Sequence, residues 1–154
     1  MTDSLGAGVY VEGLVKGSAA GFMSFLPAVV FIIACFLAFA TGTSWGTFGI
    51  LIPIVVDVFA ATDPTLMIIS ISACMAGAVC GDHCSPISDT TIMASAGAQC
   101  DHVKHVSTQL PYAIYVAAIS FVTYIVAGFT KSALISLPVG LALLIIGLFV
   151  IKSR

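Results

Sequence analysis

Long stretches without a charged side chain constrain this sequence more than any other feature. Each is long enough to be read as a membrane span and is apolar around its whole circumference. The four clearest are residues 23–40, 66–80, 110–129 and 133–151. With 60% apolar and 8% charged residues, a soluble domain of this size would lack the polar side chains needed to cover its surface. The sequence therefore predicts an all-α membrane protein.

The predicted organisation is a polar N-terminal segment, residues 1–22, followed by a transmembrane domain, residues 23–154. The domain is divided into a hairpin at 23–59, a broken helix at 66–98, and helices at 109–129 and 133–151. A net charge of −2 is too small to imply a nucleic acid partner. The five cysteines lie in or beside apolar stretches, so no disulfide framework is expected.

The first apolar stretch is interrupted by small polar residues at 41–47, including Thr41, Thr43 and Ser44. As one helix, residues 23–59 would be roughly 55 Å long, almost twice the ~30 Å hydrocarbon core. The second arm would be only about 20 Å long, and the turn has no charged residue to mark a water-facing loop. The sequence therefore favours a re-entrant hairpin, whose tip lies inside the membrane, over two complete crossings.

The second interruption, residues 81–91, predicts an unwound helix. Pro86 lacks an amide hydrogen and disfavours helix at Ser85, while Gly81 weakens the helix before it. Irregular backbone at membrane depth persists only where it is buried in protein or lines a watery cavity. We therefore expect this segment to face the interior of the protein.

This interruption also supplies the oxygen ligands that hard cations such as sodium prefer. Burial favours the neutral form of a carboxyl group, so a buried acid binds a proton or a sodium ion in turn, which is the physical basis of exchange. Asp82 and Asp89 are the predicted sodium ligands. The full predicted set for ion binding and proton coupling is Asp82, Asp89, Ser85, Ser88, Thr90, His83, Thr41, Thr43 and Ser44. No catalytic residue, enzymatic activity or cofactor is expected.

Simpler interpretations of the same residues remain open. Asp82 and Asp89 are also suitable helix caps. His83 is either a proton carrier beside a carboxylate or a histidine with an ordinary polar contact. Together with Cys80 and Cys84 it offers soft-metal ligands, although the spacing fits no common zinc pattern.

Two motifs resemble the NhaC-type sodium/proton antiporters, a family with relatives that exchange malate and lactate. The more specific is GDHCSPISDTT at 81–91, with MASAGA at 93–98 and CDHVKH at 100–105; the other is TGTSWGT at 41–47. The resemblance implies inverted repeats that each contribute a re-entrant hairpin and a broken helix. This chain matches one repeat and is expected to be the C-terminal portion of such a protein.

The expected function is therefore sodium/proton antiport by a multi-pass protein of the plasma membrane. Its expected partners are the lipid bilayer, sodium, protons, and either the missing first repeat or a second copy. The alternatives are exchange of an organic anion such as malate or lactate, an accessory subunit without transport of its own, and a metal or redox protein that uses the cysteines.

Charged residues at the segment ends give a predicted topology. Lys16, Asp57, Asp63 and Lys131 are expected on one side, and Asp101, Lys104, Lys152 and Arg154 on the other, with His102 and His105. The second side has the excess of basic residues and is predicted to be cytoplasmic.

Overall fold

The computed structural model describes residues 20–59 and 63–152, and it is all-α over this part of the chain. The predicted fold class is therefore confirmed at that level. Most of the predicted N-terminal segment, residues 1–19, lies outside the described residues. The helices are α1 (Ala20–Thr41), α2 (Ser44–Phe59), α3 (Pro64–Cys84), α4 (Asp89–Gly97), α5 (His102–Thr130) and α6 (Ala133–Lys152).

Three helices are long and apolar enough to cross a membrane, judged by length and composition: α1, α3 and α5. α2 and the part of α6 that ends at Phe149 are also apolar but shorter. The 22 residues of α1 extend about 33 Å, whereas the 16 residues of α2 extend only about 24 Å, less than the hydrocarbon core. These helices indicate a membrane protein.

α1 and α2 form an antiparallel hairpin that packs along α3. At one end, Phe59 near the end of α2 is buried with Leu66 at the start of α3. Nearer the other end, Ala38 of α1 is buried with Ala78 of α3. α3 therefore runs parallel to α1, and the turn between α1 and α2 lies at the same end of the bundle as the end of α3.

Two glycines allow α1 and α3 to approach closely. A Cβ atom on Gly77 would clash with the carbonyl oxygen of Phe31, and one on Gly81 would clash with that of Cys35. The two glycines are four residues apart and lie on one face of α3, the spacing that permits close helix contact in membranes. Gly128 of α5 meets α1 in the same way.

α5 returns antiparallel to α1, and α6 packs on α5. Lys131 ends α5 in the left-handed conformation, and its Nζ lies 2.6 Å from Oδ2 of Asp63. Asp63 also accepts backbone amides at the start of α3. The hydrogen bond from Lys131 lowers the pKa of the Asp63 carboxyl group below its ordinary value. Asp63 and Lys131, which the predicted topology assigns to the same side of the membrane, are thus in contact.

Two helix boundaries differ from the predicted ones. α3 continues through Asp82 to Cys84, because a glycine only weakens a helix, whereas the restriction before Pro86 ends it. α5 begins at His102, seven residues before the predicted start, because the Asp101 carboxylate accepts the amide of Lys104 and caps the helix.

Candidate functional site

The interruption between α3 and α4 is a four-residue turn. Ser85 leaves the helix in an extended conformation, with φ −78° and ψ 126°, and its amide donates to the carbonyl of Asp82. The amide of Ser88 donates to the carbonyl of Ser85 at 3.3 Å and closes the turn, which contains Pro86. Ser88 is also extended and precedes the first residue of α4. The turn thus places two serines at its ends.

Asp82 lies at the centre of a group of oxygen atoms. Its carboxyl group is buried, with 2% of the residue exposed. The hydroxyl of Ser88 donates to Oδ1 at 2.8 Å, and that of Thr90 donates to Oδ2 at 2.9 Å. The two hydroxyl oxygens are themselves 2.7 Å apart. Neither donor carries a charge, so the hydrogen bonds stabilise the carboxylate without neutralising it.

Three buried hydroxyl oxygens in the described part of the chain have no hydrogen-bond partner: those of Ser70, Ser85 and Thr91. A buried hydroxyl without a partner is costly, so each calls for an explanation. Ser85 begins the turn that follows Asp82, and Thr91 follows Thr90 in α4. Two of the three therefore belong to the same segment as the oxygens around Asp82, whereas Ser70 lies about four turns earlier on α3.

Asp89 occupies a different environment. Its side chain is exposed, and Oδ1 accepts the amide of Thr90 at 2.8 Å in the first turn of α4. The N-cap residue of α4 is Ser88, so this contact is a local one within the first turn and differs from the helix cap that the sequence left open as an alternative. The two predicted sodium ligands therefore lie on either side of the turn, one buried at the end of α3 and one exposed at the start of α4.

Among the other predicted residues, the side chains of His83, Thr41 and Thr43 bond to nearby backbone atoms of the same or the next helix. His83 is exposed, and its Nδ1 lies 2.9 Å from the carbonyl oxygen of Val79, not at a carboxylate. The hydroxyl of Thr41 donates to a carbonyl one turn earlier in α1. Thr43 accepts the amide of Gly46 at 3.5 Å, and Ser44 begins α2 half-buried. Their roles in ion binding remain predictions.

The two interruptions contact each other. Gly42, in the turn between α1 and α2, has φ +69°, a conformation that favours glycine. A Cβ atom there would lie 3.0 Å from both the carbonyl oxygen and Cγ1 of Ile87, in the turn that follows α3. The tip of the hairpin thus packs directly on the turn that carries Ser85 and Ser88.

Sequence reasoning missed His102, which it assigned only to a side of the membrane. Its Nε2 lies 2.7 Å from the carbonyl oxygen of Pro86, and its Nδ1 lies 3.0 Å from the hydroxyl of Ser95. Pro86 and His102 are sixteen residues apart and belong to different elements. No periodicity rule connects such positions, although the CDHVKH motif that contains His102 had already been noted.

Within residues 20–59 and 63–152, no three histidine, cysteine or acidic side chains are grouped as a bound metal would need. Cys80, His83 and Cys84 therefore do not form such a group in this part of the chain.

Comparisons with known proteins give a consistent result. A family model described as "Na+/H+ antiporter family" matches residues 1–129. An "Uncharacterized protein" of Haemophilus influenzae is 50% identical over 96% of this chain and 28% of its own length. The "Malate-2H(+)/Na(+)-lactate antiporter" of Bacillus subtilis is 34% identical over 64% of this chain and 21% of its own length.

An "Uncharacterized Na(+)/H(+) antiporter" of Haemophilus influenzae is also 34% identical, over 70% of this chain and 24% of its own length. This chain thus spans about a quarter of the length of these relatives. No solved structure matches the chain.

Proposed function

The chain belongs to the Na+/H+ antiporter family, and from that premise we propose that it forms part of the ion site of a sodium/proton antiporter. We further propose that it belongs to the NhaC-type branch, because the motifs at 41–47 and 81–91 resemble that branch. The cargo is sodium in one direction and a proton in the other. No covalent step is involved, so the residues act by binding and releasing these ions.

The observation that carries the proposal is the group of oxygen atoms around the buried carboxyl group of Asp82. Three short oxygen–oxygen contacts join this carboxyl group, Ser88 and Thr90, at 2.7 to 2.9 Å. Ser88 donates to Oδ1 and Thr90 donates to Oδ2, and neither donor brings a positive charge. The carboxylate is therefore balanced by a cation, and in this proposal the cation is a proton in one state of the exchange cycle.

A sodium ion is the natural replacement for that proton. It carries the same charge, and it binds the oxygen atoms of carboxylates and hydroxyls. The partnerless hydroxyls of Ser85 and Thr91 are two further oxygens available to it. Since one carboxylate neutralises one monovalent ion, sodium and the proton exclude each other at Asp82, and release of one follows binding of the other.

The remaining predicted residues take supporting roles in this proposal. Asp89 is exposed and serves as the outer acid that exchanges ions with water, while His83, Thr41, Thr43 and Ser44 assist the passage of ions to and from the turn. The hairpin is re-entrant. Support comes from the shortness of α2 and from the packing of Gly42 on Ile87, which joins the hairpin tip to the ion site.

We also propose that the functional transporter is a multi-pass protein of the plasma membrane with more segments than this chain. Support comes from the share of its relatives that the chain spans. In this arrangement the chain corresponds to the C-terminal member of a pair of inverted repeats, and the other repeat completes the site. An accessory chain that transports nothing itself is the competing proposal.

The similarity to the malate/lactate antiporter favours a second candidate, exchange of an organic anion coupled to sodium and protons.

One experiment distinguishes sodium/proton antiport, organic-anion exchange and the accessory chain. Inside-out membrane vesicles are prepared from cells that express the chain from its own locus and from cells that lack it, and the internal pH is followed after addition of sodium chloride, malate or lactate. A sodium-dependent pH change that requires the chain and no organic anion supports sodium/proton antiport. Dependence on malate or lactate supports the second candidate, and identical traces support the accessory chain.

The partnerless hydroxyls give a prediction with a matched control. Ser85 and Ser70 are both fully buried, and neither oxygen has a partner. We expect Ser85→Ala to weaken sodium binding roughly tenfold, the order of magnitude of one polar contact to a charged group, and Ser70→Ala to leave it unchanged. Equilibrium binding of radioactive sodium to the chain in lipid nanodiscs measures both.

Neither substitution breaks a hydrogen bond, so both variants should keep the free energy of unfolding within about 1 kcal/mol of the parent chain. Equal sodium affinity in the two variants would remove Ser85 from the ion site.

A further inference from the structure

We infer that His102 is a positioning residue for the ion site, and that it acts by holding the peptide between Pro86 and Ile87. The inference rests on the proposed function, because it concerns the turn that carries Ser85 and Ser88. The imidazole makes no hydrogen bond to Asp82 or to its two donors. Its contacts are with a backbone carbonyl of the turn and with a side chain of α4.

The geometry fixes where the ring carries hydrogen. A carbonyl oxygen only accepts, so the 2.7 Å contact requires a hydrogen on Nε2 of His102 that is donated to Pro86. The other nitrogen, Nδ1, lies 3.0 Å from the hydroxyl of Ser95, which is itself buried and 2.9 Å from the carbonyl oxygen of Ile92. The ring is therefore anchored to α4 on one side while it binds the turn on the other.

The bond reaches a part of the turn that the closing hydrogen bond does not hold. The hydrogen bond between the amide of Ser88 and the carbonyl of Ser85 closes the turn at its ends. That bond is compatible with both type I and type II turns, which differ by a rotation of about 180° of the central peptide, between Pro86 and Ile87. His102 binds the carbonyl of that central peptide, so it stabilises the orientation that Ile87 also favours.

Rotation of that peptide would affect both neighbouring serines. A type II turn requires a positive φ at its third residue, which here is the β-branched Ile87. Ile87 does not have a positive φ in this structure. Its carbonyl and side chain also pack on Gly42, so a rotated peptide would disturb the hairpin tip as well as the positions of Ser85 and Ser88. By holding the carbonyl of Pro86, His102 keeps the hydroxyls of Ser85 and Ser88 in their positions relative to Asp82.

The test uses three variants of the full chain in lipid nanodiscs. His102→Ala removes both contacts. His102→Gln restores a donor at about the position of Nε2 and can still bind the carbonyl of Pro86. His105→Ala, one turn later on α5, is the control, because it removes a histidine from the same helix without touching the turn. The measurements are equilibrium binding of radioactive sodium, the midpoint of thermal unfolding, and the hydrogen exchange rate of the Ser88 amide.

We expect His102→Ala to weaken sodium binding by about threefold to tenfold and to speed exchange at Ser88 by a similar factor, since one neutral hydrogen bond is lost. His102→Gln should bind sodium within about twofold of the parent chain, and His105→Ala should match it. If His102 only stabilised the fold, the loss of sodium affinity in each of the two His102 variants would be proportional to the fall in its midpoint of thermal unfolding. That pattern would overturn the inference, as would an affinity within twofold of the parent chain for His102→Ala.

The outcomes also separate this inference from the proposed function. If the parent chain binds no sodium, it does not form a sodium site without the other repeat, and exchange at Ser88 alone decides whether His102 holds the turn. If the parent chain binds sodium and His102→Ala binds it equally well with unchanged exchange, the proposed function stands and His102 has no part in it.

Discussion

Asp82→Asn is expected to abolish sodium-dependent proton exchange. Asparagine has nearly the same shape and still offers an oxygen to Ser88 or Thr90, but it carries no charge and binds no proton near neutral pH. Loss of a unit charge about 4 Å from a bound cation removes roughly 4 kcal/mol of attraction at an effective dielectric constant of about 20, or about a thousandfold in affinity. The measurement is sodium-induced pH change in vesicles, with sodium binding in nanodiscs.

Two matched variants make this result specific. Asp57→Asn removes an exposed charge on α2 and should leave exchange unchanged. Asp89→Asn removes the exposed outer acid and should lower the rate of exchange while it leaves sodium affinity within about tenfold, because an exposed charge interacts through water.

Misfolding would not explain the expected loss in Asp82→Asn. Replacement of a buried charge by a neutral group of the same shape removes a desolvation cost, so the variant should unfold at an equal or higher temperature than the parent chain. Full exchange activity in a folded Asp82→Asn chain would show that the proton and sodium are bound elsewhere.

The sequence and the structure agree best where a few adjacent residues decide the local conformation. Pro86 disfavours helix at Ser85 and follows a glycine and a run of polar residues, and this combination made the interruption predictable. Proline alone is not enough, because Pro27, Pro53, Pro111 and Pro138 lie inside helices. The all-α class followed from the long uncharged stretches in the same way. Both predictions depend on the residues at those positions and on the preference of apolar helices for lipid, so both can be made from the sequence.

The relation between Asp82 and Asp89 was not predictable. Both acids flank the same proline, and both were assigned as sodium ligands with equal chemistry. The structure buries one and exposes the other because α3 continues to Cys84 and keeps Asp82 on a helix face packed within the bundle. That difference depends on where neighbouring helices pack, which no spacing in the sequence encodes.

His102 illustrates the same limit across a longer distance. Its contact with Pro86 requires α4 and α5 to fold back onto the turn, so it is set by tertiary packing. The close approach of α1 and α3, in contrast, did have a readable signal. Gly77 and Gly81 stand in the spacing that is typical of close helix contacts in membranes, and that spacing was overlooked.

Gly77→Ala is expected to lower the free energy of unfolding by about 1–3 kcal/mol, the usual cost of forcing a methyl group into a packed interior. The new Cβ would clash with the backbone carbonyl of Phe31 and lie 3.0 Å from Cβ of Ala34, so α1 and α3 would have to move apart. Backbone atoms cannot rotate out of the way as a flexible side chain does. The measurement is a denaturant titration of each variant in detergent, from which the free energy of unfolding is obtained.

Gly49→Ala provides the matched control on α2. It is the same chemical change inside a helix, but a Cβ atom there would meet nothing within 4 Å. Alanine is the better helix former by about 0.5–1 kcal/mol, so this variant should be more stable than the parent chain. The opposite signs of the two changes separate helix propensity from interhelical packing. If both variants became more stable, α1 and α3 would not be in close contact, and the alignment of the hairpin with Asp82 would lose its structural basis.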